Sequence, residues 1–147
     1  MKIAIGSDHI GWELKNHMIK YLKSKGNEVQ DMGADGPERV DYPVYARKVA
    51  QAVAKGSCEN GILICGTGVG MSIAANKVRG IRAAACSEPY SARLAKEHNN
   101  ANILCFGARV IGPAMAEMIT EMFLSAVYEG GRHQKRVDMI AEIENER

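Results

Sequence analysis

Apolar residues fall along this chain in two alternating patterns. Short runs bounded by glycine or polar residues alternate with longer stretches in which apolar side chains recur at helical spacing. The runs predict strands over Lys2–Gly6, Glu28–Met32, Gly61–Cys65, Ile81–Ala85 and Asn102–Phe106. Between the first two, Leu14, Met18 and Leu22 form one helical stripe with lysines between them, and Gly26 follows as a stop. A second helix starts at Asp41, a residue suited to an N-cap, carries Pro43 in its first turn and buries Tyr45, Val49 and Val53 before Gly56. A short third helix follows Gly70, and a fourth runs from Ser87 and Pro89 to His98. The fifth spans Pro113 to about Val127, with Met115, Met118, Ile119, Met122 and Phe123 as its apolar stripe and the methionines read as core filler. Beyond Gly130 and Gly131 a charged tail, Arg132 to Arg147, carries Val137, Ile140 and Ile143 on a weak apolar stripe and reads as a helix that packs on something. Strands and helices in this alternation predict one doubly wound, three-layer α/β/α domain over residues 1–147, Rossmann-like, with about five parallel strands and a helical tail from about residue 130.

Composition narrows the classes of function. A chain of 147 residues fits one domain and leaves no room for a second. Nineteen basic residues against 17 acidic ones give a net charge of +2, far from the excess that indiscriminate nucleic-acid binding requires. Any anion site must therefore be local. No apolar run approaches the roughly 20 residues that span a bilayer. The opening Met1-Lys-Ile-Ala-Ile-Gly reaches Asp8 and His9 before a signal-peptide core can form, so the expected location is cytoplasmic, without nucleic-acid or membrane partners. There Cys58, Cys65, Cys86 and Cys105 are expected as free thiols. No C-x-x-C pair occurs, and His9, His17, His98 and His133 have no zinc-ligand spacing, so neither metal nor cofactor is expected.

Open parallel sheets bind ligands beyond the carboxyl ends of their strands. Those loops carry Gly6-Ser-Asp-His-Ile-Gly11, Cys65-Gly-Thr-Gly-Val-Gly70, Ser87-Glu88 and Gly107-Ala-Arg109, which gather an acid, an imidazole, a thiol, a glycine nest and a guanidinium. Gly66, Gly68 and Gly70 let successive backbone N–H groups turn toward one point, an anion cradle. Which anion it takes is open. A dinucleotide fingerprint would place a third glycine where Met71 stands, although Glu88 lies near the offset of a ribose-binding acid, and the ending of a P-loop is absent. The other three cysteines read as inert buried thiols, whereas Cys65 precedes the nest, where N–H dipoles at a helix start favour a thiolate as base or nucleophile.

Taken in order, several stretches closely resemble the type B ribose-5-phosphate isomerases of the ribose/galactose isomerase family. They are residues 6–11, Arg39-Val-Asp-Tyr-Pro43, Gly61-Ile-Leu-Ile-Cys-Gly-Thr-Gly-Val-Gly70, Asn76-Lys, Gly80-Ile-Arg82, Cys86-Ser-Glu-Pro-Tyr-Ser91, His98-Asn-Asn-Ala-Asn102 and Gly130-Gly-Arg-His-Gln-Lys-Arg136. The likeness covers nearly the whole chain. It implies an aldose–ketose isomerase of the pentose phosphate pathway that interconverts ribose 5-phosphate and ribulose 5-phosphate through a cis-enediolate. Galactose-6-phosphate and allose-6-phosphate isomerases share the scaffold, so sugar size is less fixed than reaction type.

The resemblance implies Cys65 as the base that moves the proton between C2 and C1, with the N–H groups of Gly66, Thr67, Gly68, Val69 and Gly70 stabilising the enediolate. Asp8 and Thr67 would hold the O1 and O2 hydroxyls, His98 would open the furanose ring, and Asn99 would bind hydroxyls beside it. His9, Arg109, Arg132 and Arg136 would hold the phosphate, the last two lying four apart on one helical face. A helix that starts at Ser87 on the carboxyl edge ends near His98 on the opposite edge, about 15 Å away, so His98 is expected to serve the site of a second subunit. That makes a homodimer with shared sites, with pairing into tetramers and the side taken by Arg132 and Arg136 left open. Two readings of another class remain: a flavodoxin-like nucleotide-binding module, and a cysteine hydrolase with Cys65 as nucleophile and His98 as base.

Overall fold

The computed structural model describes residues 1–146, so the last residue of the expected 1–147 domain, Arg147, lies outside the described residues. Five strands, β1 (Lys2–Ser7), β2 (Glu28–Asp31), β3 (Asn60–Cys65), β4 (Ala83–Ala85) and β5 (Ile103–Gly107), pair in parallel in the order β2-β1-β3-β5-β4. Six helices connect and follow them: α1 (Trp12–Ser24), α2 (Tyr42–Ala54), α3 (Val69–Ala75), α4 (Pro89–Asn99), α5 (Pro113–Ser125) and α6 (Arg132–Asn145).

Successive side chains of a strand point to opposite faces, and here the inner strands β1, β3 and β5 divide their residues between two cores. Ile3, Ile5, Ile62, Ile64, Leu104 and Phe106 pack with residues of α1, α4 and α5, including Met18, Ala92 and Phe123. Ala4, Leu63, Cys65, Ile103 and Cys105 face the other way, against Val49 and Val53 of α2 and Met71 and Ala75 of α3. The three layers expected from the pattern are therefore present, and Cys65 belongs to the α2/α3 side.

The strand order has a consequence for the site. The chain passes from β3 out to the edge strand β4 and returns through α4 to β5, which inserts beside β3 with Cys65 in register with Gly107. Ser87 and Glu88 thus leave from the sheet edge and do not join the central loops. Glu88 is the N-cap of α4, and hydrogen bonding from Ser91, first its side chain and then its N–H at 3.0 Å, holds the carboxyl below the usual range. It is a helix cap rather than a ribose-binding acid.

Other expectations need correction. Met115 and Met118 are exposed, because α5 buries the narrower stripe Ala116, Ile119, Thr120 and Phe123. That helix stops at Ser125, with Ala126 already extended, and α3 begins at Val69, before Gly70. Asp41 is the N-cap of α2, but its side chain makes no capping hydrogen bond, and Tyr45 is only half-buried. In α6 Val137 is buried while Ile140 and Ile143 stay exposed. Among the described residues no helix is long and apolar enough to cross a membrane.

One lysine on α1 is not a surface residue. Lys15 is 1% exposed, and its Nζ donates to Asp31 Oδ1 and the Ala34 carbonyl, both at 2.7 Å. The ammonium ties α1 to the end of β2. Lys15→Ala removes these bonds and opens a gap, so it is expected to destabilise the fold by about 2–4 kcal/mol. Thermal unfolding would then fall by roughly 4–16 °C; a shift within a degree would show that water replaces the ammonium at no cost.

Candidate active site

The first functional loop is built by Asp8. Its N–H donates to the Ile64 carbonyl at 3.2 Å, which sets this buried residue beside the end of β3. Its Oδ1 accepts from the N–H groups of Ile10 and Gly11 at 2.9 and 3.0 Å, so the turn into α1 fixes the carboxylate, whose remaining lone pairs can take hydroxyls. Glycine is required at position 11, where a Cβ would lie 2.6 Å from the Ile64 carbonyl oxygen. His9, half-buried, accepts the Val40 N–H on Nδ1 at 3.3 Å.

Cys65 closes β3 with its thiol buried, and Sγ accepts the Gly68 N–H at 3.1 Å. Such a bond strengthens when the sulfur carries charge. Gly68 supplies the turn with a φ of +81°, and the backbone of Phe106 runs 2.8 Å from where its Cβ would be. The Val69 N–H turns to Thr67 Oγ1 at 3.3 Å. Two donors of the expected five-residue cradle are therefore engaged within the loop, whereas Gly70 lies in the first helical turn, whose N–H groups have no intrahelical acceptor.

β5 completes this edge. The Ala108 N–H donates to the Cys65 carbonyl at 2.8 Å and the Arg109 N–H to the Gly66 carbonyl at 3.1 Å. Arg109 lies exposed with its Cδ beside Gly66. Asp8, His9, residues 65–70 and Arg109 thus form one group at the carboxyl ends of β1, β3 and β5.

His98, Asn99, Arg132 and Arg136 form another group elsewhere. Lys96 Nζ donates to Asn60 Oδ1 at 2.7 Å, which anchors the end of α4 at the first residue of β3. From there to Cys65 the strand runs about 17 Å. The His98 ring stacks on His133 of α6, with centroids 4.2 Å apart. Arg132 and Arg136 are exposed on the first turns of the same helix, and Asn99 lines a cleft of about 370 Å³ with Arg82 and Ile140. The expected site residues are therefore split between opposite sheet edges of one chain.

The cysteines differ in environment. All four are free. Burial pushes the Cys58 thiol up, Cys86 up to about 11, and Cys105 well above the ordinary thiol range. A thiol-selective alkylating agent at pH 8 is expected to label Cys65 first, read by peptide mass mapping, and equal labelling of Cys86 would contradict this.

Sequence reasoning missed several supporting residues. Gly107 must be glycine because a Cβ would lie 2.5 Å from Thr67 Cα, and the Tyr42 ring covers Gly70, with its Cζ 2.8 Å from where a Cβ would be. His133 lies inside the stretch 130–136 that carries the resemblance, which implies roles for Arg132 and Arg136 alone. Its signal is spatial, through the stack on His98.

A parallel sheet that sets a thiol, a carboxylate and a glycine loop at its central carboxyl edge defines an α/β enzyme scaffold suited to proton transfer on an anionic substrate. The sequence pattern described as Ribose/Galactose Isomerase matches residues 3–140, and the chain belongs to that family. It is 57% identical over 146 residues to ribose-5-phosphate isomerase B of Escherichia coli K12, covering 99% of this chain and 98% of that protein. The structure of Clostridium thermocellum ribose-5-phosphate isomerase B superposes with a TM-score of 0.98 at 55% identity, covering 99% of both chains. That of Mycoplasma genitalium ribose-5-phosphate isomerase B with bound ribulose-5-phosphate gives 0.95 at 44% identity, covering 99% of this chain and 97% of that one.

Proposed function

We propose that this chain interconverts D-ribose 5-phosphate and D-ribulose 5-phosphate through a cis-enediolate. The observation that carries the reading is the Cys65 sulfur, held by the Gly68 N–H at the end of β3, in a chain so close to proteins named for that reaction. Cys65 takes the proton from C2 of the open-chain aldose and returns it to C1. Asp8 and Thr67 hold O1 and O2 while the hydroxyl proton passes from O2 to O1, and the N–H groups of the Gly66–Gly70 loop other than those turned to Cys65 and Thr67, Gly70 among them, stabilise the enediolate. These transfers need no group beyond the side chains named.

His98 protonates the ring oxygen to open the furanose, with Asn99 on nearby hydroxyls. Because His98 lies at the other sheet edge from Cys65, the reading requires a homodimer in which each site takes its thiol from one subunit and its imidazole from the other. The His98–His133 stack ties the start of α6 to His98, so Arg132 and Arg136 come with it. The phosphate is then held by His9 and Arg109 of one subunit and by these two arginines of its partner. A sugar phosphate does not cross a bilayer unaided, which supports action in the cytoplasm.

The test is to add ribose 5-phosphate to purified protein treated with chelator and follow ketopentose, then to repeat with allose 6-phosphate. Faster turnover of the pentose is expected. Turnover of the hexose alone would make this a six-carbon isomerase, and turnover of neither would remove the isomerase reading.

A further inference from the structure

An imidazole nitrogen buried without a hydrogen-bond partner loses its water for nothing in return, so one that persists calls for a reason. His133 Nε2 is such an atom. The nearest carboxylate is Glu129, whose Oε2 lies 3.3 Å from it and 3.9 Å from His98 Nε2. The two imidazoles stack with planes 11° apart. Glu129 itself is fastened to α4, since its N–H donates to the Glu97 carbonyl at 3.0 Å. The end of α4, the α5–α6 connection and the first turn of α6 therefore meet at three titratable side chains.

Two histidines and a carboxylate resemble a metal site, but the geometry is wrong for one. An imidazole lone pair lies in its ring plane, and a bound ion sits there, about 2.0–2.1 Å from the nitrogen. Stacked, nearly parallel planes share no such point. The other charged groups on these elements are Arg93 and Glu97 of α4, paired at 3.4 Å, Lys96 of α4, held by Asn60, and Arg132, Lys135, Arg136, Asp138, Glu142 and Glu144 of α6, of which Glu144 accepts from the Gly80 N–H. The His98 side chain is 32% exposed and that of His133 6%, and His98 ends α4, where carbonyl groups favour a cation. His98 thus presents its ring outward, with His133 beneath it as the flat surface that holds it.

We propose that His133 and Glu129 are positioning residues for His98: the stack fixes the ring's orientation, and the Glu129 carboxylate, 3.3 and 3.9 Å from the two Nε2 atoms, holds the pair in place to meet the ring oxygen. This deepens the ring-opening reading of His98 and rests on it.

The test separates ring opening from proton transfer at carbon. Ribulose 5-phosphate carries its phosphate on the oxygen that would close a furanose, so it is acyclic, and solvent deuterium enters its C1 through the enediolate alone. Ribose 5-phosphate must open first. His133→Asn and Glu129→Gln are each expected to lower kcat on ribose 5-phosphate roughly 10-fold, part of the roughly 10²–10⁴-fold that a placed general acid supplies, with C1 exchange changed less than about twofold. His98→Asn should show the same split, larger. If His98→Asn shows no split, the ring-opening reading fails. If it does while His133→Asn and Glu129→Gln do not, that reading stands and the positioning role is overturned. A parallel fall of both rates in the two variants also overturns it, as a structural effect. Should His133→Asn not fold, Glu129→Gln, at a half-exposed position, carries the test alone.

Discussion

Cys65→Ala is expected to lower both turnover of ribose 5-phosphate and solvent exchange at C1 of ribulose 5-phosphate by roughly 10²–10⁴-fold, the usual contribution of a positioned base. Both readouts should fall together, because the thiol acts at carbon, after the ring is open. Alanine fits the strand end, and its one local cost is the Gly68 N–H left without the sulfur. Cys65→Ser separates this cost from chemistry. A serine hydroxyl can still accept from Gly68, but it is a far weaker base than a thiolate, so serine should lose as much activity as alanine. If either variant keeps its exchange rate, some other group removes the proton. The hydrolase alternative is tested on the same protein, since a cysteine nucleophile would be trapped covalently by an acyl substrate and a cysteine base would not.

Much of this edge was legible because its determinants are local. Alternation in Ile3-Ala4-Ile5 and in Ile62-Leu63-Ile64-Cys65 is a property of consecutive residues, and the two cores divide along it. Asp8, Cys65 and Arg109 lie at strand ends or within two residues of them, so finding the strands located them. What the pattern does not carry is order across the sheet. Nothing in the runs themselves says that β5 lies between β3 and β4, yet that insertion brings Gly107 to Cys65 and sends Glu88 to the edge. Burial of individual side chains was also hidden where a partner is distant in sequence. Lys15 reads as a surface lysine until Asp31 and the Ala34 carbonyl are placed around it. Met115 and Met118 read as core because hydrophobicity alone does not report burial, while α5 buries the narrower stripe of Ala116, Ile119, Thr120 and Phe123.

Mixing two inactive variants gives the second large effect. Cys65→Ala chains retain His98, and His98→Ala chains retain Cys65, so neither homodimer holds a complete site if each site is shared. Co-refolded in equal amounts, half of the dimers pair unlike chains, and each of these restores one of two sites. Activity should therefore rise from near zero to about a quarter of the unmodified protein, with the other site doubly defective. The expectation follows from the anchor of Lys96 on Asn60, which keeps His98 at the amino end of β3 while Cys65 closes its carboxyl end. Adding Arg132→Ala to one chain at a time extends the measurement. Placed on the Cys65→Ala chain, which donates His98 to the restored site, it should raise KM; on the His98→Ala chain it should not, because α6 travels with the stacked histidines. The opposite assignment would show that the tail serves its own subunit, and no recovery in the mixture would show that His98 is not shared at all.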